Sequence, residues 1–419
     1  MSAPITLGPL AVQSGEFALP RSKSLSNRAL IIQALLGEPS VEPFTEAEPE
    51  DVLTLHKLLR QIEDGATLDC GPAGTTFRFL TAYLITVEGT QILSGSARML
   101  QRPIEPLVNA LRQIGARIDY LGEAGFAPLS IGHISPSHSN SITIPGDVSS
   151  QFISALMLIG PSLDHGLRIE WTGSLVSRPY LDMTASLMRQ YGAEIDIDDP
   201  HIEVHPAPYR KVNYHAEADW SAASYAAAWV ALAEPGTQVV CKGLRQNSIQ
   251  GDSGLVDWIS AWGVSARFDE SGLTFIRTEQ VQPETFEADF NDCPDLAQTF
   301  SVLCAVTGVT GLFTGLQTLA LKETDRIAAL QAELQKVGVF LSKLPKRFSP
   351  AADVTYYMQE GMAEWEGEAR FETYHDHRMA MALSLLSHRG RVQINDPEVV
   401  RKSFPKYWHS LAAITRASS

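Results

Sequence analysis

The sequence predicts an α/β fold of two domains, each built from three copies of one duplicated unit. Three observations predict it. First, six segments open on a capping residue or a glycine and run straight into apolar residues at helical spacing: 21–36, 71–85, 147–159, 219–233, 294–306 and 375–387. Second, four amphipathic stretches close on Gly115, Gly192, Gly263 and Gly338, at intervals of 77, 71 and 75 residues, with weaker echoes at Gly65 and Gly390. Third, strand-like residues (ARI, AEI) follow directly after the first two of these glycines. Glycine past the last helical turn supplies the left-handed cap. A period of roughly 70 residues holds two helices and several short strands, too long for a solenoid repeat.

Composition sets the outer limits. A chain of 419 residues with 44% hydrophobic and 19% charged residues is expected to be an ordinary globular protein of two or more domains. Its net charge of −15 disfavours nucleic acid and anionic membranes as partners, because both need a basic face. No apolar run reaches the ~18 residues of a membrane span. The first residues, MSAPITLGPLAVQSGEF, lack the basic start and apolar stretch of a signal peptide. A cytoplasmic location follows as an expectation. Cys70, Cys241, Cys293 and Cys304 form no CxxC pair, so reduced thiols are expected and neither a disulfide nor a zinc site.

The segments then divide by chemistry, in chain order. Strand-like pieces (ITL, FAL) occupy the first 20 residues and could pair with either half. The first helix start carries Ser22 and Ser24 as caps, with Lys23 and Arg28 near its positive end. Clustered cations there favour an anion, although a solvated basic turn has the same composition. At the second start, Gly74 lets a backbone approach a ligand closely. Arg102 precedes Pro103 in a loop, and Ser149, Ser150 and Gln151 open the third helix with three neutral hydrogen-bonding side chains. The pattern at 208–217 (PYRKVNYHAE) marks a domain switch, with three starts on each side. The fourth start, at Ser221, reads as structural. Asp295 at the fifth start is a cap by default and a general base if it sits among cations. Lys322 and Arg326 are four apart and share a helical face, flanking Glu323. That cluster alone also suits an ordinary surface helix start.

The least regular stretch, 342–370, reads as a hairpin-rich excursion. His375 and His377 are two apart, so they do not share a helical face, and no metal is predicted. His377 and Arg378 at a helix start, with Asp376 to orient them, fit anion binding better. Lys402 lies in a loop near Pro405. The chain contains neither GxGxxG nor GxxxxGK[ST], and no Ser/His/Asp nucleophile signature.

Ten segments in order (SKSLSNRAL, AGTTFRFL, QRPIEPLVNALRQIGA, GDVSSQFISAL, SLVSRPYLDMT, RQNSIQGD, PDLAQTF, LKETDRI, YHDHRMAMA and KSFPKYW) together resemble the 5-enolpyruvylshikimate-3-phosphate (EPSP) synthase family of enolpyruvyl transferases, end to end. The resemblance implies an inside-out α/β barrel fold of two domains, each with three βαββαβ units, whose helix N-termini face a cleft that closes on substrate. With it, the domains are 21–216 and 1–20 plus 217–419, joined by two hinge crossings. The implied reaction moves the enolpyruvyl group of phosphoenolpyruvate to the 5-hydroxyl of shikimate 3-phosphate by addition and elimination, with no cofactor, and a monomer is expected. Matched positions imply that Lys23, Ser24, Arg28, Ser149, Ser150, Gln151, Ser177, Tyr180, Asp295 and Lys322 hold shikimate 3-phosphate. Lys23, Gly74, Arg102, Gln151, Arg326, Arg378 and Lys402 are implied to hold phosphoenolpyruvate. Asp295 is implied to take the hydroxyl proton and Glu323 to move a proton at the methylene carbon, with Lys23 and His377 assisting.

Three positions depart from the family pattern. Arg21 and Pro72 stand where it has glycine and asparagine, and Thr318 where it has asparagine. Pro72 removes an amide side chain and a backbone donor. Two other readings remain open: a related transferase acting on UDP-N-acetylglucosamine, and a non-catalytic binding paralogue. The loop around Arg102 has no cysteine, which disfavours the first. Retained Lys23, Asp295, Glu323, Arg326 and Lys402 disfavour the second.

Overall fold

A computed structural model describes residues 2–37, 45, 47–134, 139–351 and 354–417. The chain forms two compact units. One, Ser22–Ala216, is inserted into the other, Met1–Arg21 with Glu217–Ser419; they are called here the inserted and the split unit.

The inserted unit contains α1 (Lys23–Leu35), α2 (Glu50–Leu59), α3 (Gly74–Tyr83), α4 (Glu105–Gln113), α5 (Ser150–Ile159) and α6 (Arg178–Gln190). Its two sheets repeat one topology. Strand Thr67–Asp69 runs parallel to Thr90–Ser94, which pairs antiparallel with Leu129–Gly132, itself antiparallel to Arg117–Tyr120. Strand Ser141–Pro145 relates in the same way to Leu167–Thr172, His201–Val204 and Ile195–Asp198. A helix crosses over between each parallel pair, as parallel pairing requires, and a short hairpin closes each sheet.

The split unit contains α7 (Trp220–Ala231), α8 (Leu255–Ile259), α9 (Ala297–Thr307), α10 (Arg326–Gln335), α11 (His377–Leu383) and α12 (Tyr407–Ile414). Strand Thr285–Asp289 pairs parallel with Thr310–Thr314, followed by Tyr357–Glu360 and Phe340–Lys343. The least regular stretch thus supplies the hairpin of this sheet. The leading strands join three further sheets, Leu10–Val12 pairing antiparallel with Thr415–Ala417. Gly15–Glu16 runs parallel to Gln238–Lys242, and Ile5–Leu7 pairs antiparallel with Arg391–Ile394.

The element order within a copy is βαβαββ, where the family resemblance implied βαββαβ. The difference is physical: both helices are needed early, one as the parallel crossover and one to reach the hairpin. In the first copy α1 and α2 follow one another with no strand among the described residues between them.

Each expected helix start begins a helix, and these helices form the interior. Every residue of α7 except Ser221 is buried, and so is every residue of α9 except Thr307. The strands show why: Ser141–Pro145 and Thr285–Asp289 alternate exposed and buried, so each sheet turns one face outward and one onto helices. Gly115, Gly192, Gly263 and Gly338 adopt φ of 94°, 87°, 63° and 79°, the left-handed cap. Gly390 is different. A Cβ there would lie 2.9 Å from the Trp365 ring, so close packing explains it.

Candidate functional site

In the inserted unit, helix starts gather cations. Ser22 caps α1, its hydroxyl accepting from the Leu25 N–H at 3.5 Å. Lys23 opens the helix and its Nζ pairs with Asp51 Oδ2 at 3.0 Å. Arg28 is buried one turn on. Its Nε donates to Thr184 Oγ1 at 2.7 Å, and its terminal nitrogens donate to the Ser24 carbonyl (2.9 Å), Ser154 Oγ (3.1 Å) and the Tyr180 carbonyl (3.5 Å). The guanidinium also lies 5.3 Å from the Phe79 ring centre. Burial pulls the Arg28 pKa down to about 10, with Tyr180 and Tyr214 opposing. Its hydrogen-bond partners among the described residues are all neutral. A buried cation held only by neutral groups is stabilised further by an anion.

Helix α3 starts without a side-chain cap, on Ala73 and Gly74. A Cβ at Gly74 would come within 2.4 Å of Arg102 and 2.8 Å of Arg78, so a larger residue would push both guanidinium groups from their places. Arg78 is buried, donates to the Gly74 carbonyl at 3.0 Å and lies 5.3 Å from the Phe152 ring centre. Sequence reasoning missed it; its spacing of four from Gly74 was the available signal. Ser149 caps α5, accepting from the Gln151 N–H at 3.4 Å, and Gln151 Nε2 reaches Thr75 Oγ1 at 3.1 Å. The side-chain Oε1 of Gln151 is buried without a hydrogen-bond partner among the described residues. Ser150 is buried beside it. Ser177 precedes α6 in a left-handed conformation (φ 56°), and Tyr180 lies in the first turn. Pro72 is exposed, ahead of this start.

In the split unit, carboxylates and cations interlock. Arg326, at the start of α10, is 1% exposed. Its Nε donates to Asp376 Oδ2 at 2.8 Å, one terminal nitrogen to Asp295 Oδ1 at 3.1 Å and the other to Glu323 Oε2 at 3.0 Å. Arg378 donates to Asp295 Oδ2 at 2.7 Å, and Lys402 Nζ lies 2.7 Å from Glu323 Oε1. Asp295 thus bridges two arginines, and Glu323 bridges an arginine and a lysine. Burial works against the Arg326 charge, but Asp376, Glu323 and Asp295 outweigh it and raise its pKa. Burial also opposes Arg378, and Asp295 leads the groups that raise it well above its ordinary value. Three cations face three carboxylates, a balance that an incoming anion would tip.

Asp376 caps α11, accepting from the Arg378 N–H at 2.8 Å. His377 is buried at the first position, Nδ1 3.7 Å from Asp376 Oδ1. His375 points elsewhere, to Asp396 at 3.1 Å. Lys322 is half-buried in the short segment before α10, and the Thr318 hydroxyl nearby is buried without a hydrogen-bond partner. The fourth helix start, read from the sequence as structural, brings Ser221 to Asp252. The Ser221 hydroxyl donates to Asp252 Oδ2. Burial, then the charge of Asp295, pushes the Asp252 pKa up to about 7.

Mixed four-stranded sheets around buried helices, with anion-ready helix starts, define an enolpyruvyl-transferase-like α/β protein. EPSP synthase from Acinetobacter baumannii superposes with a TM-score of 0.73 at 20% identity, over 100% of both chains. The enolpyruvyl transferase NikO from Streptomyces tendae gives 0.69 at 14% identity over 99% of each. Residues 40–411 match the family model of EPSP synthase (3-phosphoshikimate 1-carboxyvinyltransferase). A Bacteroides fragilis 3-phosphoshikimate 1-carboxyvinyltransferase is 42% identical over 94% of this chain and 93% of its own. Proteins of the same name from Burkholderia cenocepacia and Cellvibrio japonicus are 36% and 35% identical, covering 99% and 96% of this chain and 99% and 97% of their own. The chain belongs to the EPSP synthase family.

Proposed function

We propose that the chain transfers the enolpyruvyl group of phosphoenolpyruvate to the 5-hydroxyl of shikimate 3-phosphate and releases phosphate. The hydroxyl oxygen adds to C2 of phosphoenolpyruvate while C3 gains a proton, giving a tetrahedral phosphoketal. A proton then leaves C3, the C2–O bond to phosphate breaks, and the double bond re-forms. Asp295 takes the hydroxyl proton, Glu323 moves the proton at C3, and Lys23 and His377 assist.

Shikimate 3-phosphate is assigned to Lys23, Ser24, Arg28, Ser149, Ser150, Gln151, Ser177, Tyr180, Asp295 and Lys322. Phosphoenolpyruvate is assigned to Lys23, Gly74, Arg102, Gln151, Arg326, Arg378 and Lys402. Arg78, beside Gly74, joins this set.

The observation that carries the reading is Asp295, held between Arg326 and Arg378. Both arginines donate to Asp295. Phosphate or carboxylate oxygens of the substrate compete with Asp295 for those same donors. The reading describes a monomeric cytoplasmic enzyme acting on small anions. Phosphate release from phosphoenolpyruvate tests it. Release that requires shikimate 3-phosphate supports it, release with UDP-N-acetylglucosamine instead redirects it to the related transferase, and no release with either acceptor overturns it.

A further inference from the structure

Glu333 is a buried carboxylate that the reaction does not use. It lies two turns along α10 from Arg326, and a spacing of seven puts both on one face of the helix. Its side chain is 0% exposed. Three groups satisfy it: Tyr374 donates its hydroxyl to Oε1 at 2.6 Å, the Glu372 N–H donates to Oε2 at 3.0 Å, and Lys336 Nζ lies 2.5 Å from Oε2. Lys336 also donates to the Arg370 carbonyl at 3.1 Å. Three of these four contacts grip the segment that leads into α11, at Arg370, Glu372 and Tyr374, while the Lys336–Glu333 pair stays at the end of α10.

That segment is strained. Tyr374 and His375 have φ of 53° and 56°, consecutive left-handed residues without a glycine. Such conformations persist only where the surroundings hold them. Glu333 holds Tyr374, and Asp396 holds His375 at 3.1 Å. The next residue is Asp376, which pairs with Arg326 Nε and caps the helix of Arg378. Helix α10 therefore grips the segment at two points, through Glu333 at 372–374 and through Arg326 at Asp376.

We propose that Glu333, through Tyr374, is a positioning residue for phosphoenolpyruvate binding. It fixes the strained turn that sets Asp376, and Asp376 in turn orients the guanidinium groups of Arg326 and Arg378. The inference rests on the assignment of those two arginines to phosphoenolpyruvate. A side chain that serves folding alone changes the melting temperature. One that positions the arginines changes the KM of one substrate.

The test is steady-state kinetics with Tyr374→Phe, which removes one hydroxyl, and Glu333→Gln, which keeps the volume and removes the charge. Each variant is expected to raise the KM for phosphoenolpyruvate five- to thirtyfold. The KM for shikimate 3-phosphate stays within twofold of the parent, and kcat falls less than that KM rises. An unchanged phosphoenolpyruvate KM in a folded variant overturns the proposal, whatever happens to thermal stability. If Glu333→Gln does not fold, the single hydroxyl of Tyr374→Phe decides. If the parent shows no shikimate 3-phosphate-dependent turnover, the functional reading fails. Calorimetric affinity for phosphoenolpyruvate then decides the positioning role: a five- to thirtyfold loss in the variants supports it, and equal affinity overturns it.

Discussion

Replacing Asp295 with asparagine separates its two roles, base and counter-ion. The side chain keeps its size and one oxygen, but the carboxylate charge between Arg326 (3.1 Å) and Arg378 (2.7 Å) is gone. Three cations then face two carboxylates, so the cluster carries one uncompensated positive charge. Loss of a charge-assisted hydrogen bond costs about 1.5–3 kcal/mol. The melting temperature should therefore fall by several degrees. Loss of a general base costs about 10²–10⁴ in kcat, or roughly 3–5 kcal/mol in barrier. Affinity for phosphoenolpyruvate moves the other way, because the freed arginines no longer have an internal competitor; a several-fold gain is expected. Phosphate release gives kcat, and calorimetry on the folded variant gives affinity. A kcat within tenfold of the parent refutes the role of base. Weaker phosphoenolpyruvate binding refutes the exchange of partners at the arginines.

Three further outcomes follow from particular contacts. Arg28→Lys loses the planar set of donors that reaches Thr184, Ser24, Ser154 and Tyr180, so the KM for shikimate 3-phosphate should rise about tenfold or more, read by initial rates. Gly263→Ala places a Cβ 2.4 Å from the Glu279 carbonyl at φ 63°, and should cost roughly 2–4 kcal/mol in denaturant unfolding with little effect on the KM of either substrate. Asp252 titrates at about 7 in the folded state against an ordinary value of 3.8, so the folded state binds the proton more tightly. Its contribution makes stability fall as pH rises through that window, and Asp252→Asn should flatten the fall between about pH 4 and 7 in melting-temperature scans.

The legible part of this fold was local. A helix start and its cap are written within a few residues, so the six starts and the cap at Gly263 could be read directly from the sequence. Sheet completion was not legible, because Gly15–Glu16 and Gln238–Lys242 pair across more than half the chain. Ile5–Leu7 is likewise only three residues until it meets Arg391–Ile394. Among the candidate residues, the cations Lys23, Arg326 and Arg378 announce themselves by type at helix starts. Asp295, Glu323 and Asp376, which pair with the two arginines, lie beside those starts and were legible too; Asp51 and Asp252 were not. Asp51 reaches Lys23 from another helix, and Asp252 acquires its neighbours only through tertiary packing. Gly390 shows the limit of pattern reading: it matched the repeat, yet its reason is the Trp365 ring against it.

The central claim is that the chain works by addition and elimination through a methyl-bearing intermediate. Running the reaction in D2O and weighing the product by mass spectrometry tests it directly. Addition places a solvent deuteron on C3, and elimination removes one of three hydrogens. Deuterium is therefore expected in the product methylene, with phosphate formed in equal amount and only when shikimate 3-phosphate is present. Turnover that gives an unlabelled methylene would contradict it.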